Sequence, residues 1–562
     1  MAETKKWVPK KYGEKGYWQD TWGGSPKGWA GRQLSKFLTA DEVANDAHNY
    51  LSQYYTGTSL PLGAITLGKK KASSASGLLS YASDDHLLTI APSRAGKGTC
   101  QIVPTLLTYK GSTLVIDIKG ENHAITARHR AKISAGAKVF KFAPFENDTC
   151  HFNPLDFIEP SEDGFSTASF LAEMMIPASK FDESFWVTEA RNLLAIILLF
   201  VRTSGDDETM HKVVVMANNT NGLDDTLDAI INGSKIPTLR MLAGTFLTYD
   251  DKVKMSVLAQ MNSALRPWLD LKIQNATAKS DFSISDLRHS MFEPDAENQN
   301  PISIYLCLPP EKLRSYRSVL RVIVGIAIYG MTRKLPTRTD QKKWLPKPAN
   351  PVLFMLDELP ALGYMSPVLD GLGYLAGYGG QMWVFAQAIG QLKAIYGESW
   401  QVFMSSAGAF SAFSINDLET SEYISRLLGK TDEYLEYYHV SELYTEYSKV
   451  EIPPPMDWVN TQHQLAREEA GRLEKKGWEL DDYRSNSKQW VYSKELEKEK
   501  RQNRWTQDEV GPPNYIRQLG DRFMIVFLKG VSHRDGLKPA LVRKVPYYSV
   551  DKLNDNAGYW IP

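Results

Sequence analysis

The chain has 562 residues, of which 43% are hydrophobic and 23% charged, a composition that indicates a globular protein of several domains and excludes a disordered one. Lys+Arg and Asp+Glu both total 65, so the chain has no overall basic field, and any nucleic-acid binding must use a local patch or a channel formed on assembly. The widely spaced Cys100, Cys150 and Cys307 argue against a disulfide framework and a structural zinc site, and they suit a reducing cytosol.

The first 60 residues form a predicted arm that is rich in tryptophan and partly helical. A helix is predicted from Thr39 to about Tyr55, because Thr39 followed three positions later by Glu42 resembles a capping box. The first residues lack the hydrophobic core of a signal peptide, and the most apolar segments elsewhere are too short or too interrupted to span a bilayer. We therefore expect a cytoplasmic protein without a transmembrane segment.

The stretch 86–122 has the pattern of a phosphate-binding unit. Apolar runs at 87–90 and 113–116 predict two short buried strands. The turn between them has the order of a phosphate-binding loop, whose backbone N–H groups and lysine hold phosphate: Ser93, Arg94, Ala95, Gly96, Lys97, Gly98 and Thr99. Gly98 stands where a magnesium-binding Ser or Thr is usual, so Thr99 is the candidate for that role. We interpret the loop as a nucleotide site; the alternative is a surface turn with a solvated lysine.

From about residue 156 to 290 the pattern changes to helices. The runs 183–201 and 254–271 repeat apolar residues at helical spacing, and Asn, Asp and Gly crowd a predicted loop at 217–225. A third strand-like run at 139–142 precedes this part of the chain. The sequence therefore predicts an all-α domain inserted into an α/β domain.

Strand patterns return at 302–308, 352–356, 381–387 and 409–415, and they alternate with helical patterns, as in a largely parallel sheet. Asp357 and Glu358 end the second of these strands. An acid at such an edge holds magnesium in nucleotide hydrolases, and a following glutamate orients and deprotonates the attacking water. Gln387 ends the next strand. An amide at this position has two possible roles: it senses the γ-phosphate or the attacking water, or it forms hydrogen bonds with the backbone of a loop.

A second polar group follows the strand at 113–116. Asp117, Lys119 and Glu121 have three possible partners: the nucleotide, a neighbouring subunit or each other. Residues 431–510 are charged and rich in Tyr and Trp, and 522–548 resume strand-like alternation. The predicted division of the chain is an arm (1–60), a first nucleotide-binding part (61–155), an all-α insert (156–290), a second nucleotide-binding part (291–430), a charged variable segment (431–513) and a C-terminal return to the nucleotide-binding domain (514–562).

Several motifs in order resemble the signatures of type IV secretion coupling proteins, the TraG-type conjugative DNA-transfer ATPases. They are HLLTIAPSRAGKGT, VIDIKGEN, HFNPLD, LRPWLD with SDFSISDLR, FMLDELPALG, LAGYGGQMWVFAQAIGQLKAIYG and SINDLETSEYISRLLG. The resemblance covers about residues 60–430 and the closing segment from RQLGDRFMIVFLKG to VPYYSV.

The resemblance implies a RecA-like P-loop domain with an inserted all-α domain, assembled as a hexamer with ATP and Mg²⁺ between subunits. Carried over by position, Lys97 would bind phosphate, Asp357 would hold magnesium, Glu358 would activate water and Gln387 would couple nucleotide state to motion. Gly98 after the lysine is similar to the family's own loop. Arg94 and Arg426 are the candidates for completing the site across an interface.

The family implies delivery of relaxase-bound single-stranded DNA, or of effector proteins, to a type IV secretion channel. Its members are usually anchored by N-terminal transmembrane helices. The expectation here is either a chain that a partner recruits peripherally to the inner membrane or a soluble variant. Two alternatives stay open: a HerA/FtsK-like DNA translocase outside secretion, and a nucleotide-locked substrate receptor with little turnover.

Overall fold

The structure is a computed structural model that describes residues 49–52, 60–65, 77–177, 184–289, 300–333, 350–432, 507–509, 511–519, 521–529, 538–549 and 556–558. Within these ranges the strands are β1 (Asn49–Ser52), β2 (Leu60–Ile65), β3 (Gly77–Tyr81), β4 (His86–Ile90), β5 (Thr113–Ile116), β6 (Lys138–Phe142), β7 (Ile302–Leu306), β8 (Val352–Leu356), β9 (Gly380–Ala386), β10 (Ala407–Ala412), β11 (Lys430–Asp432), β12 (Gln507–Glu509), β13 (Phe523–Leu528) and β14 (Lys538–Arg543).

Twelve of these strands form one sheet in the order β1-β3-β2-β14-β13-β10-β4-β9-β8-β5-β7-β6. The seven from β10 to β6 are parallel, and the other five add to one side of them in antiparallel pairs. Every residue of β4, β5, β7, β8 and β9 is buried, as expected for parallel strands covered on both faces. The prediction of an α/β fold with a largely parallel sheet is confirmed.

The helices alternate with these strands, except in one long helical region. In chain order they are α1 (Val103–Thr108), α2 (Glu121–Arg130), α3 (Gly164–Met175), α4 (Phe185–Thr203), α5 (Met210–Ala217), α6 (Leu223–Gly233), α7 (Pro237–Leu247), α8 (Asp251–Leu265), α9 (Leu271–Ala276), α10 (Ile284–His289), α11 (Pro310–Thr332), α12 (Ser366–Tyr374), α13 (Ile389–Tyr396), α14 (Gln401–Ser405), α15 (Leu418–Leu428) and α16 (Pro513–Arg517). Helices α3 to α10 follow one another with no strand among the described residues between them. We call residues 164–289 the helical region.

Alternate residues of the central strands face two different cores. Leu88, Phe354 and Val384 face a core that continues without interruption into α3, α4 and α11. Leu87 and Met355 face the other core, together with the antiparallel strands β13 and β14. The helical region therefore shares its hydrophobic core with one face of the sheet, because α3 packs on α11.

The segment that leads from the sheet into the helical region contacts residues near the end of that region. His151 Nδ1 lies 2.7 Å from Asp281 Oδ2, and the ring of Phe152 stacks on Phe282 with 5.1 Å between centroids. The Asn153 backbone N–H donates to Ser280 Oγ at 2.9 Å. These residues belong to the HFNPLD and SDFSISDLR motifs, so the two motifs build one clasp.

A buried arginine ties the helical region to the turn after β8. Arg321, on α11, is 3% exposed and donates to three carbonyl oxygens, those of Met174 (3.1 Å), Leu362 (2.9 Å) and Tyr364 (2.6 Å). Burial lowers the pKa of Arg321 to about 10, and the guanidinium still carries its charge at neutral pH.

One prediction is wrong and several lie outside the described residues. Residues 49–52 form β1 and pair with β3, so the helix predicted for 39–55 does not extend there; 39–48 and 53–55, like the rest of the arm, lie outside the described residues. Most of the charged segment 431–513 is also outside them, but β11 pairs with β12, which brings the segment's two ends together. In the described part of the chain no helix is long and apolar enough to cross a membrane.

Candidate functional site

Three neighbouring parallel strands, β4, β9 and β8, end at the candidate site. The loop with Lys97 follows β4, Gln387 follows β9, and Asp357 and Glu358 follow β8. Because the carboxyl ends of parallel strands share one edge of the sheet, residues 29 or more positions apart in the chain meet there.

The loop takes a backbone shape that few residues adopt. Arg94 and Gly96 have positive φ angles of 62° and 96°, which turn the chain sharply before Lys97. A helical turn at Gly98–Ile102 follows and leads into α1, so the first N–H groups of a helix face the loop. Thr99 Oγ1 donates to the Gly96 carbonyl at 3.3 Å. A Cβ at position 98 would meet nothing within 4 Å, so packing alone does not require Gly98.

Lys97 and Gln387 each lie against Glu358. Lys97 Nζ lies 3.6 Å from Glu358 Oε2, and Gln387 Nε2 donates to Glu358 Oε1 at 2.5 Å. The Lys97 amine is buried and has no hydrogen-bond partner. Glu358 itself sits at φ 58°, a left-handed conformation that is costly for a non-glycine residue and is common at functional sites. The structure thus brings the predicted phosphate lysine, base and sensor together.

Asp357 carries an unsatisfied oxygen. Its Oδ1 is buried and has no hydrogen-bond partner. Burial raises the pKa of this carboxyl to about 6; the nearby Lys97 opposes the rise and the Glu358 carboxylate adds to it. A buried carboxylate oxygen without a donor is suited to a cation, and Mg²⁺ characteristically takes one or two carboxylates together with substrate phosphates. Asp357 therefore has the chemistry to hold Mg²⁺, and Thr99, in the loop, is the other residue predicted for that role.

The polar group after β5 is held within the chain. Asp117 accepts hydrogen bonds from the backbone N–H groups of His123 (2.8 Å) and Asn122 (3.3 Å) at the start of α2, while Lys119 Nζ lies 3.8 Å from Glu121 Oε1. Burial raises the pKa of Asp117 to about 6, and its hydrogen bonds oppose that rise. Three partners were predicted: the nucleotide, a neighbouring subunit or the other residues of the group. The structure shows contacts within the group, between Lys119 and Glu121, and contacts of Asp117 with the start of α2.

Sequence reasoning missed one residue at the loop. Lys544, after β14, donates from Nζ to the Ala95 carbonyl at 2.9 Å and to Ser414 Oγ at 3.4 Å. It is 449 positions from Ala95, and no local pattern connects the two. Arg94 and Arg426 are the two candidates for completing the site across an interface between subunits. Both are exposed, Arg94 in the loop and Arg426 on α15.

Comparison with known proteins identifies the family. The family model described as type IV secretory system conjugative DNA transfer matches residues 46–436. The conjugal transfer protein TraG of Escherichia coli is 30% identical over 366 residues, covering 62% of this chain and 55% of TraG. Protein VirD4 of Agrobacterium fabrum is 29% identical over 350 residues, covering 61% of this chain and 49% of VirD4. The chain thus spans about half the length of the curated relatives it matches.

Solved structures show the same fold. The conjugative coupling protein TrwBdeltaN70 in its unbound form has a TM-score of 0.54 at 15% identity, covering 83% of this chain and 86% of that chain. TrwB in complex with a non-hydrolysable ATP analogue has a TM-score of 0.55 at 14% identity, covering 89% and 96%. The fold is that of the RecA-like P-loop proteins, and the chain belongs to the type IV secretory system conjugative DNA-transfer family.

Proposed function

We propose that this protein is an ATP-hydrolysing coupling protein that receives DNA, with single-stranded DNA carried by a relaxase as the leading substrate, and delivers it to a type IV secretion channel. The observation that carries the proposal is the meeting of Lys97, Asp357, Glu358 and Gln387 at one edge of the sheet, in a chain of the conjugative DNA-transfer family. The names of the relatives, which are conjugal transfer and secretion-coupling proteins, support it.

The ligands proposed are ATP and Mg²⁺. Structures of TrwB have been described with ADP and Mg²⁺ and with non-hydrolysable ATP and GTP analogues. In this chain the N–H groups of the loop and the helix N-terminus would hold the phosphates, and Asp357 with Thr99 would hold the metal. Bound Mg²⁺ would neutralise the negative charge that develops on the phosphate oxygens when the γ-phosphoryl group is transferred to water.

The role that we propose for Lys97 follows from its contacts in the structure. Its buried amine has no hydrogen-bond partner, and the Glu358 carboxylate is its counter-charge at 3.6 Å, with Asp357 also near enough to interact with it. A polyphosphate offers far more negative charge, so Lys97 would turn to the outer phosphates and release Glu358. Glu358 then orients a water and accepts its proton, while Gln387, bonded to Glu358 at 2.5 Å, registers the change.

The proposed working form is a hexamer with nucleotide between subunits, where Arg94 or Arg426 of a neighbour would complete the site. Substrate recruitment, through relaxase or secreted proteins, and contact with secretion components place the protein on the cytoplasmic side of the inner membrane. The charged segment 431–513 is the proposed region of substrate or adaptor specificity.

ATP turnover measured with and without single-stranded and double-stranded DNA, with native mass recorded on the same samples, tests the proposal. We expect turnover that DNA stimulates, with a shift to a hexamer. Lys97→Ala should lose nucleotide binding, and Glu358→Gln should bind ATP but turn over on the order of 100-fold more slowly. Lys252→Ala, an exposed change on α8, is the control.

Normal turnover by Glu358→Gln would remove Glu358 as the base. Turnover without any response to DNA would direct the proposal to protein substrates. Binding without turnover under every condition would favour a receptor that nucleotide locks in one state.

A further inference from the structure

The chain returns to the phosphate loop after β14. Lys544 follows β14, and its backbone N–H donates to the Arg522 carbonyl at 2.8 Å. Its side chain lies 5.1 Å above the ring of Phe413 and ends on the Ala95 carbonyl at 2.9 Å. Ala95 stands between Arg94 and Gly96, the two loop residues with positive φ. This ammonium therefore fixes the most strained part of the loop from outside.

The next residues pack along the helical turn that follows the loop. The turn Tyr547–Ser549 contacts Gly98–Ile102. Tyr547 is partly buried against a small cluster made of Val103, Leu107, Ile125 and Ala557. Tyr548 is 59% exposed, and its ring meets the Tyr547 ring edge-on with 5.4 Å between centroids. An exposed aromatic ring is thus anchored beside the phosphate loop.

The orientation of a bound nucleotide follows from the residues at the two ends of the loop. Lys97, Glu358 and Gln387 mark the end that takes the γ-phosphate. The inner phosphates of a bound nucleotide would face the first N–H groups of the helical turn Gly98–Ile102. The nucleoside would then extend past this turn, which Tyr547–Ser549 contact.

We propose that residues 544–549 form the nucleoside side of the site, with Tyr548 as the stacking surface for the base and Lys544 as the positioning residue of the phosphate loop. The inference rests on the proposed nucleotide site and adds to it a residue that touches the base. An aromatic face stacks on any base and reads no base edge, so this site takes ATP and GTP about equally.

Nucleotide binding separates the two roles, because inorganic tripolyphosphate has the phosphates without the nucleoside. Dissociation constants for ATP, GTP and tripolyphosphate, each with Mg²⁺, are measured by calorimetry on the full chain. Tyr548→Ala should raise Kd on the order of tenfold for both nucleotides and leave Kd for tripolyphosphate unchanged. Tyr548→Phe should restore the affinity, since the ring is kept. The control is Tyr378→Ala, which removes another exposed tyrosine (42% exposed, against 59% for Tyr548). Tyr378 lies just before β9, at the edge of the sheet opposite the loop, so this change should have no effect on the three dissociation constants.

Lys544→Met gives the complementary pattern. Removal of the ammonium frees the loop, so Kd should rise about tenfold for tripolyphosphate and for both nucleotides alike, and Lys544→Arg should restore most of the loss. Unchanged ATP affinity in Tyr548→Ala, or an equal loss for tripolyphosphate in that variant, would overturn the stacking role. Lys544→Met binding tripolyphosphate as wild type does would overturn the positioning role. If the wild-type chain binds neither nucleotide nor tripolyphosphate, the proposed function itself fails.

Discussion

Replacing Asp357 by Asn should stabilise the nucleotide-free protein at neutral pH. The carboxyl is held in a buried place where its Oδ1 has no donor, and its pKa rises from the ordinary 3.8 to about 6. A raised acid pKa means that the folded chain holds the proton more tightly than the unfolded chain does. The ionised carboxylate thus costs the fold free energy that is fully present above about pH 6 and absent below about pH 4.

The size of the effect follows from the same two values. The step from 3.8 to about 6, at about 1.4 kcal/mol per pKa unit, gives at most about 3 kcal/mol at pH 8. At pH 4.5 the same titration leaves only about 1 kcal/mol. Asn is neutral at both pH values, so Asp357→Asn should recover up to these amounts, with a rise in Tm of about 2 °C or more at pH 8.

Thermal and urea unfolding of the metal-free protein at pH 8 and pH 4.5 measure the difference. The exposed Asp228→Asn on α6 is the matched control and should change stability little at either pH. The reasoning is refuted if Asp357→Asn gives no gain at pH 8, or if its gain at pH 4.5 equals that at pH 8. The variant should also lose Mg²⁺-dependent ATP affinity, which links the stability cost to the proposed metal role.

Four further outcomes are expected. Affinity for ATP with Mg²⁺ should fall as the pH drops below about 6, since protonation of Asp357 removes the charge that faces the metal; titrations at pH 5.5 and 7.5 measure this. Arg321→Met should destabilise the fold by about 3 kcal/mol or more in urea unfolding, because three carbonyl oxygens, two of them in buried hydrogen bonds, lose their donor. Gly96→Ala should weaken ATP binding about fivefold or more in calorimetry, because an L-residue at φ 96° costs about 1 kcal/mol or more. Gln387→Ala should lower kcat with little change in ATP affinity, as it removes only the hydrogen bond to Glu358, and steady-state kinetics separate the two effects.

The central strands could be predicted from the sequence because they are buried on both faces. Such strands need an unbroken apolar run, and the runs at 87–90, 113–116 and 352–356 match β4, β5 and β8 within one residue. No such pattern in the sequence showed which strand would lie beside which in the sheet. Strand order depends on long-range packing, and β4 lies between β9 and β10, which follow it by about 300 residues.

Local signals also misled at the N-terminal edge. Thr39 and Glu42 have the spacing of a capping box, but residues 49–52 pair with β3 as an edge strand. The hydrogen bonds and packing that an existing sheet offers outweigh a helix preference of a few tenths of a kcal/mol per residue.

The candidate site, too, could be predicted only in part from the sequence. Lys97, Asp357, Glu358 and Gln387 could be named because each follows a recognisable strand, and parallel topology sends such positions to one edge. That Lys97 faces Glu358, and that Asp357 Oδ1 lacks a donor, depend on side-chain geometry that no spacing specifies. Lys544 and Tyr548 follow β14, which is antiparallel to β13 and therefore runs in the same direction as β10, so it ends at the same edge of the sheet. No pattern in the sequence showed the direction of β14 or its place in the sheet.

The clasp at His151 and Asp281 has a consequence for how this protein can diversify. Because the segment that leads into the helical region contacts residues near its end, the residues between these positions can be exchanged between homologues without rethreading a single strand. The surfaces where α3 and α10 pack on α11, and the carbonyls held by Arg321, are among the contacts that must stay matched. Selection can therefore alter the helical region and the edge of the sheet that carries the candidate site at different rates.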